Sequence, residues 1–143
     1  MDIIEHLIDL GANVNQENGK GCTPLSTAIN NNNLEIITLL SKKGANLNLV
    51  DSLGWTPLTY AMYRDDMKIV KLLVENGADM NAHGVSYSTP LQDAILKEDT
   101  EIIKIFKENG ANLAIKTLNY NFNSFELAME YNSIDILKQL LHQ

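Results

Sequence analysis

Apolar residues fall along this chain in short blocks of helical period, separated by polar stretches. One block reads Leu34, Ile36, Ile37, Leu39 and Leu40. A second reads Met67, Ile69, Val70, Leu72 and Leu73, and a third Ile102, Ile103, Ile105 and Phe106. The spacing predicts helices. Their apolar stripes are too wide for a helix with a single neighbour, so each is expected to be sandwiched. A cap former precedes each block: Asn33, Asp66, Asp99 and, ahead of a fourth, Ser133. Glycines at 44, 77 and 110 follow the three blocks, and Gly11 follows a leading one. Each suits the left-handed residue that ends a helix. A second, shorter set of helices is predicted to open at Thr23, Thr56 and Thr89. Threonine caps the first turn there, and the proline after it gives up only an N–H that would be orphaned anyway. Between each glycine and the next threonine lies a run rich in Asn, Asp and Gly, predicted to be a turn or hairpin loop.

The pattern is periodic. The glycines at 11, 44, 77 and 110 are spaced by 33, and Thr-Pro-Leu recurs at 23, 56 and 89 in the same phase. Ala28, Ala61 and Ala94 follow, small enough for a neighbouring helix to approach closely. A further copy has Asn123-Ser124-Phe125 and Ala128, one residue late, which places an insertion between Leu113 and Asn123.

On these residues the chain resembles the ankyrin-repeat family, whose period and T-P-L-H-x-A signature match. Asp51-Ser52-Leu53-Gly54-Trp55-Thr56-Pro57-Leu58 opens the best copy and Gly77-Ala78-Asp79-Met80-Asn81 closes it. The resemblance implies an all-α ankyrin-repeat solenoid of stacked helix-turn-helix units with projecting β-hairpin loops. It also implies a single domain over 1–143: a half repeat at 1–17 and repeats at about 18–50, 51–83, 84–117 and 118–143. The chain departs from the family at several positions. Ser26, Thr59, Gln92 and Glu126 replace the histidine that braces neighbouring loops. Asn32, Asp65, Glu98 and Asn132 replace the glycine between the helices, a change that predicts either strain or a different turn at Glu98. Gly84 and Tyr87 depart from the third hairpin's Asp and Gly. Met1 aligns with Leu34 and Gln143 with Asn109, so the chain is expected to be a segment of a longer array or a small array with minimal caps. The first helix, placed over Asp2 to Leu10, is expected to lack a cap and to be the least protected.

Composition narrows the function. The 143 residues are 45% hydrophobic and 20% charged, ordinary for a globular protein. Net charge is −7, and Arg64 is the single arginine, which argues against a nucleic-acid partner. No apolar run approaches the roughly 20 residues of a membrane span. Met1 is followed by Asp2 and Glu5 rather than by a signal peptide. Cys22 is the single cysteine, and His6, His83 and His142 are scattered, so neither a disulfide nor a metal site is expected. Phosphate-loop, dinucleotide and zinc-protease motifs are absent. Asn18-Gly19-Lys20-Gly21 reads as a turn, the Asp65-Asp66 and Glu98-Asp99 pairs as helix caps, and Cys22 as no nucleophile. The expectation is a non-catalytic, cytoplasmic interaction module without cofactor, metal, membrane or small-molecule substrate. It is expected to be a monomer, with self-association through the N-terminal helix as one alternative. A regulatory or targeting segment of a larger enzyme or effector is another.

The family resemblance also implies a partner surface on the hairpin tips and the exposed side of the first helices. By alignment these slots are Gly19, Lys20, Cys22, Asn30 and Asn31; then Val50, Ser52, Leu53, Trp55, Tyr63 and Arg64. Next come His83, Val85, Ser86, Ser88, Leu96 and Lys97, and beyond the insertion Lys116, Tyr120 and Tyr131. Trp, Tyr and Arg dominate interface hot spots, which draws attention to Leu53, Trp55, Tyr63 and Arg64. Arg64 is expected to stack on an aromatic ring. Trp55 has two readings, a partner-facing anchor or a residue that braces adjacent hairpins. The acidic balance leaves open a basic partner, without saying which one.

Overall fold

The computed structural model describes residues 3–142. Among them are nine α-helices: α1 (Ile3–Asp9), α2 (Pro24–Asn30), α3 (Leu34–Lys42), α4 (Pro57–Tyr63), α5 (Met67–Glu75), α6 (Pro90–Leu96), α7 (Thr100–Glu108), α8 (Ser124–Glu130) and α9 (Ile134–Leu141). The chain divides into two compact units, Met1–Ala78 and Asp79–Gln143.

In the first unit α2 packs on α3 and α4 on α5, and the two pairs stack α2 on α4 and α3 on α5. The second unit repeats the plan with α6 on α7, α8 on α9, α6 on α8 and α7 on α9. The short first helices begin as the sequence predicts. Thr23, Thr56 and Thr89 accept the N–H of Ser26, Thr59 and Gln92, and each is followed by proline. Asn123 does the same for Glu126, whose carboxylate returns the bond to the Asn123 N–H in a capping box. Ala28, Ala61, Ala94 and Ala128 are all buried, as close helix approach requires. The second helices α3, α5 and α7 are capped by Asn33, Asp66 and Asp99. Ser133 departs from that pattern. Its hydroxyl donates to Glu98 Oε1 at 3.0 Å, and α9 has no side-chain cap bond.

Two further expectations are corrected. None of the described residues lies in a β-strand; the loops are tight turns, closed by a pair of backbone bonds such as Asp51 N–H to Trp55 O at 2.9 Å and Gly54 N–H to Asp51 O at 3.0 Å. Leu72 is half-buried, whereas Ile69 is buried, so the core runs through Ile69, Val70, Leu73 and Val74. The helix start placed at Asp2 lies outside the described residues. α1 itself buries no residue. It is tied down by Lys43 of the α3 C-cap, which bonds Asp9 at 2.8 Å and lies 3.6 Å from Glu5. The Asp9 bond is the main reason the Lys43 ammonium titrates above the ordinary lysine value.

The turn residues that stand in for glycine take left-handed backbone: Asn32, Asp65, Glu98 and Asn132 all lie at φ near 55°. Glu98 is the unusual one by residue type, and of the two readings the sequence leaves open it keeps the common turn rather than adopting a different one. One set of bonds was not legible from the repeat. Asn15 Oδ1 accepts the Asn46 N–H at 2.7 Å in the first unit, and Asn81 Oδ1 accepts the Asn112 N–H at 2.8 Å in the second. The last asparagine of the Gly-Ala-Asn-x-Asn block is therefore a rung between successive repeats.

Candidate functional site

The first unit gathers most of its candidate residues around one groove. The groove measures about 220 Å³ and lies between the turn at 17–23, α2, the turn at 49–57 and α4. Lys20, Asn30, Asn31, Ser52 and Trp55 line it, together with Cys22, Ile29 and Tyr60. The volume is below the roughly 300–1,000 Å³ of small-molecule pockets.

Trp55 is half-buried at the groove wall. Its ring meets Tyr63 edge-on at 5.0 Å between centroids and Tyr60 at 6.4 Å. The indole therefore packs within its own repeat. Tyr63 stays 65% exposed, so the aromatic ridge still faces solvent. Arg64 stacks on an aromatic ring as expected, and that ring is Tyr60, 5.8 Å away. Its guanidinium also donates to the Asn30 carbonyl at 3.0 Å and to Asn30 Oδ1 at 3.3 Å. The Tyr60 hydroxyl donates to the same Oδ1 at 2.6 Å. Arg64 and Asn30 thus clamp α4 to the end of α2, and Tyr60 stands between them. Sequence reasoning passed over Tyr60. The available signal was its spacing, three residues before Tyr63 and four before Arg64, which puts all three on one side of a helix.

Leu53 sits on the turn tip, exposed and outside the groove lining. The turn below it is held by Asp51, whose Oδ1 accepts the N–H groups of Leu53 and Trp55 at 2.8 and 2.9 Å. Asn18 does the same for Lys20 and Cys22 in the preceding turn.

The candidate residues of the second unit divide differently. Val85, Leu96, Lys97, Tyr120 and Tyr131 are exposed. His83 Nε2 donates to the Lys116 carbonyl at 2.7 Å, and the Ser86 hydroxyl donates to both Asp93 oxygens at 2.8 and 3.0 Å. His83 and Ser86 are therefore engaged in holding loops. Ser88 does not lie on the exposed surface, contrary to expectation. It is 3% exposed, and its hydroxyl donates to the Ser86 carbonyl. Burial keeps the Asp93 carboxyl above the usual carboxylate range, with the Ser86 hydroxyl offsetting part of that rise. Gln92, in the slot of the family histidine, is fully buried and does reach the next loop. Its Oε1 accepts the Thr89 N–H, and its Nε2 donates to Ile115 O at 2.7 Å and Phe122 O at 3.1 Å. Ser26, in the same slot of the first unit, donates to Thr23 O within its own turn.

No group of three or more His, Cys, Asp or Glu among the described residues is arranged to hold a metal ion. No helix among them is long and apolar enough to cross a membrane.

Capped helix pairs and glycine stops recurring every 33 residues, with an asparagine rung inside each unit, define a helical-repeat protein. The family model for ankyrin repeats (3 copies) matches residues 1–84, and the chain belongs to that family. No curated protein matches it. Ankyrin repeats are in general protein–protein interaction modules and typically non-catalytic.

Proposed function

We propose that this chain binds a partner protein, without catalysis of its own, through the turn and first-helix surface of its first unit. The observation that carries the reading is the ridge of Trp55, Tyr60 and Tyr63 beside an open groove. Tryptophan and tyrosine supply large, rigid contact area at low entropic cost and are enriched at interface hot spots. Lys20, Asn31, Ser52 and Leu53 surround the ridge as a mixed polar rim. Arg64 and Asn30 serve as the clamp that sets its shape. The net charge of −7 favours a basic partner through long-range attraction. A lone cysteine is compatible with a reducing, cytoplasmic setting.

The test compares partners recovered by affinity purification with the parent and with Trp55→Ala and Tyr63→Ala. Partner affinity is expected to drop by about 2 kcal/mol or more for Trp55→Ala, with the melting temperature nearly unchanged. A large loss of stability with affinity per folded molecule intact would make Trp55 a packing residue and remove the site.

A further inference from the structure

Asparagine stands directly before glycine three times in this chain, each time after a glutamate: Glu17-Asn18-Gly19, Glu75-Asn76-Gly77 and Glu108-Asn109-Gly110. In such a pair the glycine nitrogen is able to attack the side-chain amide of the asparagine, because no Cβ on the glycine hinders the approach. All three pairs are exposed, so access to water does not distinguish them. Hydrogen bonding does. Asn76 and Asn109 end α5 and α7, and their Nδ2 groups donate to Leu72 O and Ile105 O, each at 2.8 Å. The glycines beside them are held as well: the Gly77 N–H donates to Val74 O at 3.0 Å and the Gly110 N–H to Lys107 O at 3.1 Å. In these two pairs the attacking nitrogen and the leaving group are both tied to a helix end. In the first pair both are free, since neither Asn18 Nδ2 nor the Gly19 N–H has a hydrogen-bond partner among the described residues. Asn18 is bound only at its oxygen and its backbone. Its Oδ1 accepts the N–H of Lys20 at 2.9 Å and the N–H of Cys22 at 3.1 Å. Two backbone donors there polarise the Cγ carbonyl and stabilise the negative charge that attack places on its oxygen.

We propose that Asn18-Gly19 is a site of spontaneous deamidation, a covalent modification of the turn at 17–23 whose only co-reactant is water. The Gly19 nitrogen gives up its proton to solvent and bonds to Asn18 Cγ. The Cγ–Nδ2 bond breaks, and the departing nitrogen takes up a proton and leaves as ammonia. The product is a five-membered cyclic imide joining residues 18 and 19. Water then opens the ring at one of its two carbonyls. Cleavage of the new N–Cγ bond gives aspartate. Cleavage of the original peptide bond gives isoaspartate, in which the chain runs through the former side chain. The fold receives the two products differently. Aspartate is what the next repeat already carries, since Asp51 Oδ1 accepts the N–H groups of Leu53 and Trp55 in the same way. Isoaspartate lengthens the backbone by one methylene. That shifts the bonds that close the turn, Asn18 N–H to Cys22 O at 2.9 Å and Gly21 N–H to Asn18 O at 3.0 Å, out of register. Glu17, Lys20, Gly21 and Cys22 line the groove, so its rim is remodelled. Either product adds one negative charge to the turn.

The test is peptide mapping by mass spectrometry after incubation of the full chain at mildly alkaline pH, once folded and once in urea. In the folded chain Asn18 is expected to deamidate about tenfold faster or more than Asn76 and Asn109, because each of those pairs must first release two hydrogen bonds. In urea the three rates are expected to converge, because the three pairs share the same Glu-Asn-Gly sequence. Gly19→Ala is expected to slow the reaction at Asn18 about tenfold or more by crowding the attacking nitrogen. A Cβ at Gly19 meets nothing within 4 Å, so the melting temperature of this variant should match the parent's. Equal rates at the three sites in the folded chain overturn the proposal, and so does an Asn18 that outlasts the other two. A Gly19→Ala chain that deamidates at the parent's rate overturns it as well. A rate gap that persists unchanged in urea does the same, because the fold would then not be its cause. None of these outcomes bears on Trp55, so the partner surface of the first unit stands or falls separately.

Discussion

The turns at 51–55 and 84–88 close with the same two backbone bonds. Asp51 N–H reaches Trp55 O and Gly54 N–H reaches Asp51 O; Gly84 N–H reaches Ser88 O and Tyr87 N–H reaches Gly84 O. They are nevertheless held by opposite means. The first is braced from within, because Asp51 Oδ1 accepts two N–H groups of its own loop. The second has no side chain at Gly84 to do this. Asp93 of α6 holds it through Ser86, and the following tip holds it through Leu118. Its left-handed residue is a tyrosine rather than a glycine. A turn braced from within leaves its surroundings free, and in the first unit those surroundings are the open groove. A turn braced from outside ties two tips together, and in the second unit the result is a continuous edge.

The helix layers should not share this difference, and the largest expected effect tests that. Ile69 and Ile102 occupy the same slot of α5 and α7, and each is 1% exposed. Truncating either to alanine should cost about 2–5 kcal/mol in urea unfolding. A loss below about 1 kcal/mol at one of them would mean that the two layers are not equivalent. Leu72→Ala should cost less than either, because Leu72 is half-buried.

The brace comes next in size. Gln92→Ala strips partners from the Thr89 N–H and from the Ile115 and Phe122 carbonyls, and should cost about 2–3 kcal/mol. Ser26→Ala in the first unit should cost less than about 1 kcal/mol. Equal losses would erase the contrast between outside and inside bracing. Tyr87→Gly should move stability the other way, by about 0.5–1 kcal/mol, as the left-handed strain is relieved. A destabilised variant would show that the tyrosine ring earns its place in the fold.

The smallest expected effect is a pH dependence. Asp93 holds its proton more tightly in the folded chain than in the unfolded one. Its contribution therefore favours the fold at low pH. That contribution fades as pH rises from the ordinary carboxylate value through the raised folded one. Asp93→Asn removes the titration and leaves an acceptor for Ser86. The stability of the variant relative to the parent should thus improve between about pH 4 and about pH 7. A flat difference across that interval would mean that burial does not perturb this carboxyl.

What the sequence made legible follows the distance over which each interaction acts. Caps, glycine stops and apolar stripes depend on neighbours three or four residues away, and those elements appear where the pattern places them. Ser133 is the exception because a serine hydroxyl is short and free to rotate, and Glu98, 35 residues earlier, offers it a carboxylate. The Gln92 brace, the asparagine rungs and the Asn30–Arg64 clamp span about one repeat each, which no local rule resolves. Ser88 shows the same limit at the candidate site. It shares a slot with Trp55 and Cys22, yet it is buried in a loop that Asp93 holds through Ser86. Tyr60 escaped notice because its role comes from Asn30, a residue on the preceding first helix.

The inserted residue of the fourth turn has a practical consequence. Its ends are pinned by Thr117 N–H to Phe122 O at 2.8 Å, and by Ser124 N–H to Leu113 O at 3.2 Å. Asn121, at φ of 60°, makes the reversal. Past the Leu118 N–H that ties this tip to Tyr87, residues 119–121 are exposed, outside the rungs and the helix pairs. Doubling a loop closed in this way costs only about 0.6 kcal/mol in chain entropy. This tip is therefore a grafting port, where a tag, a protease site or a foreign epitope can be spliced in while the repeats on either side keep their register.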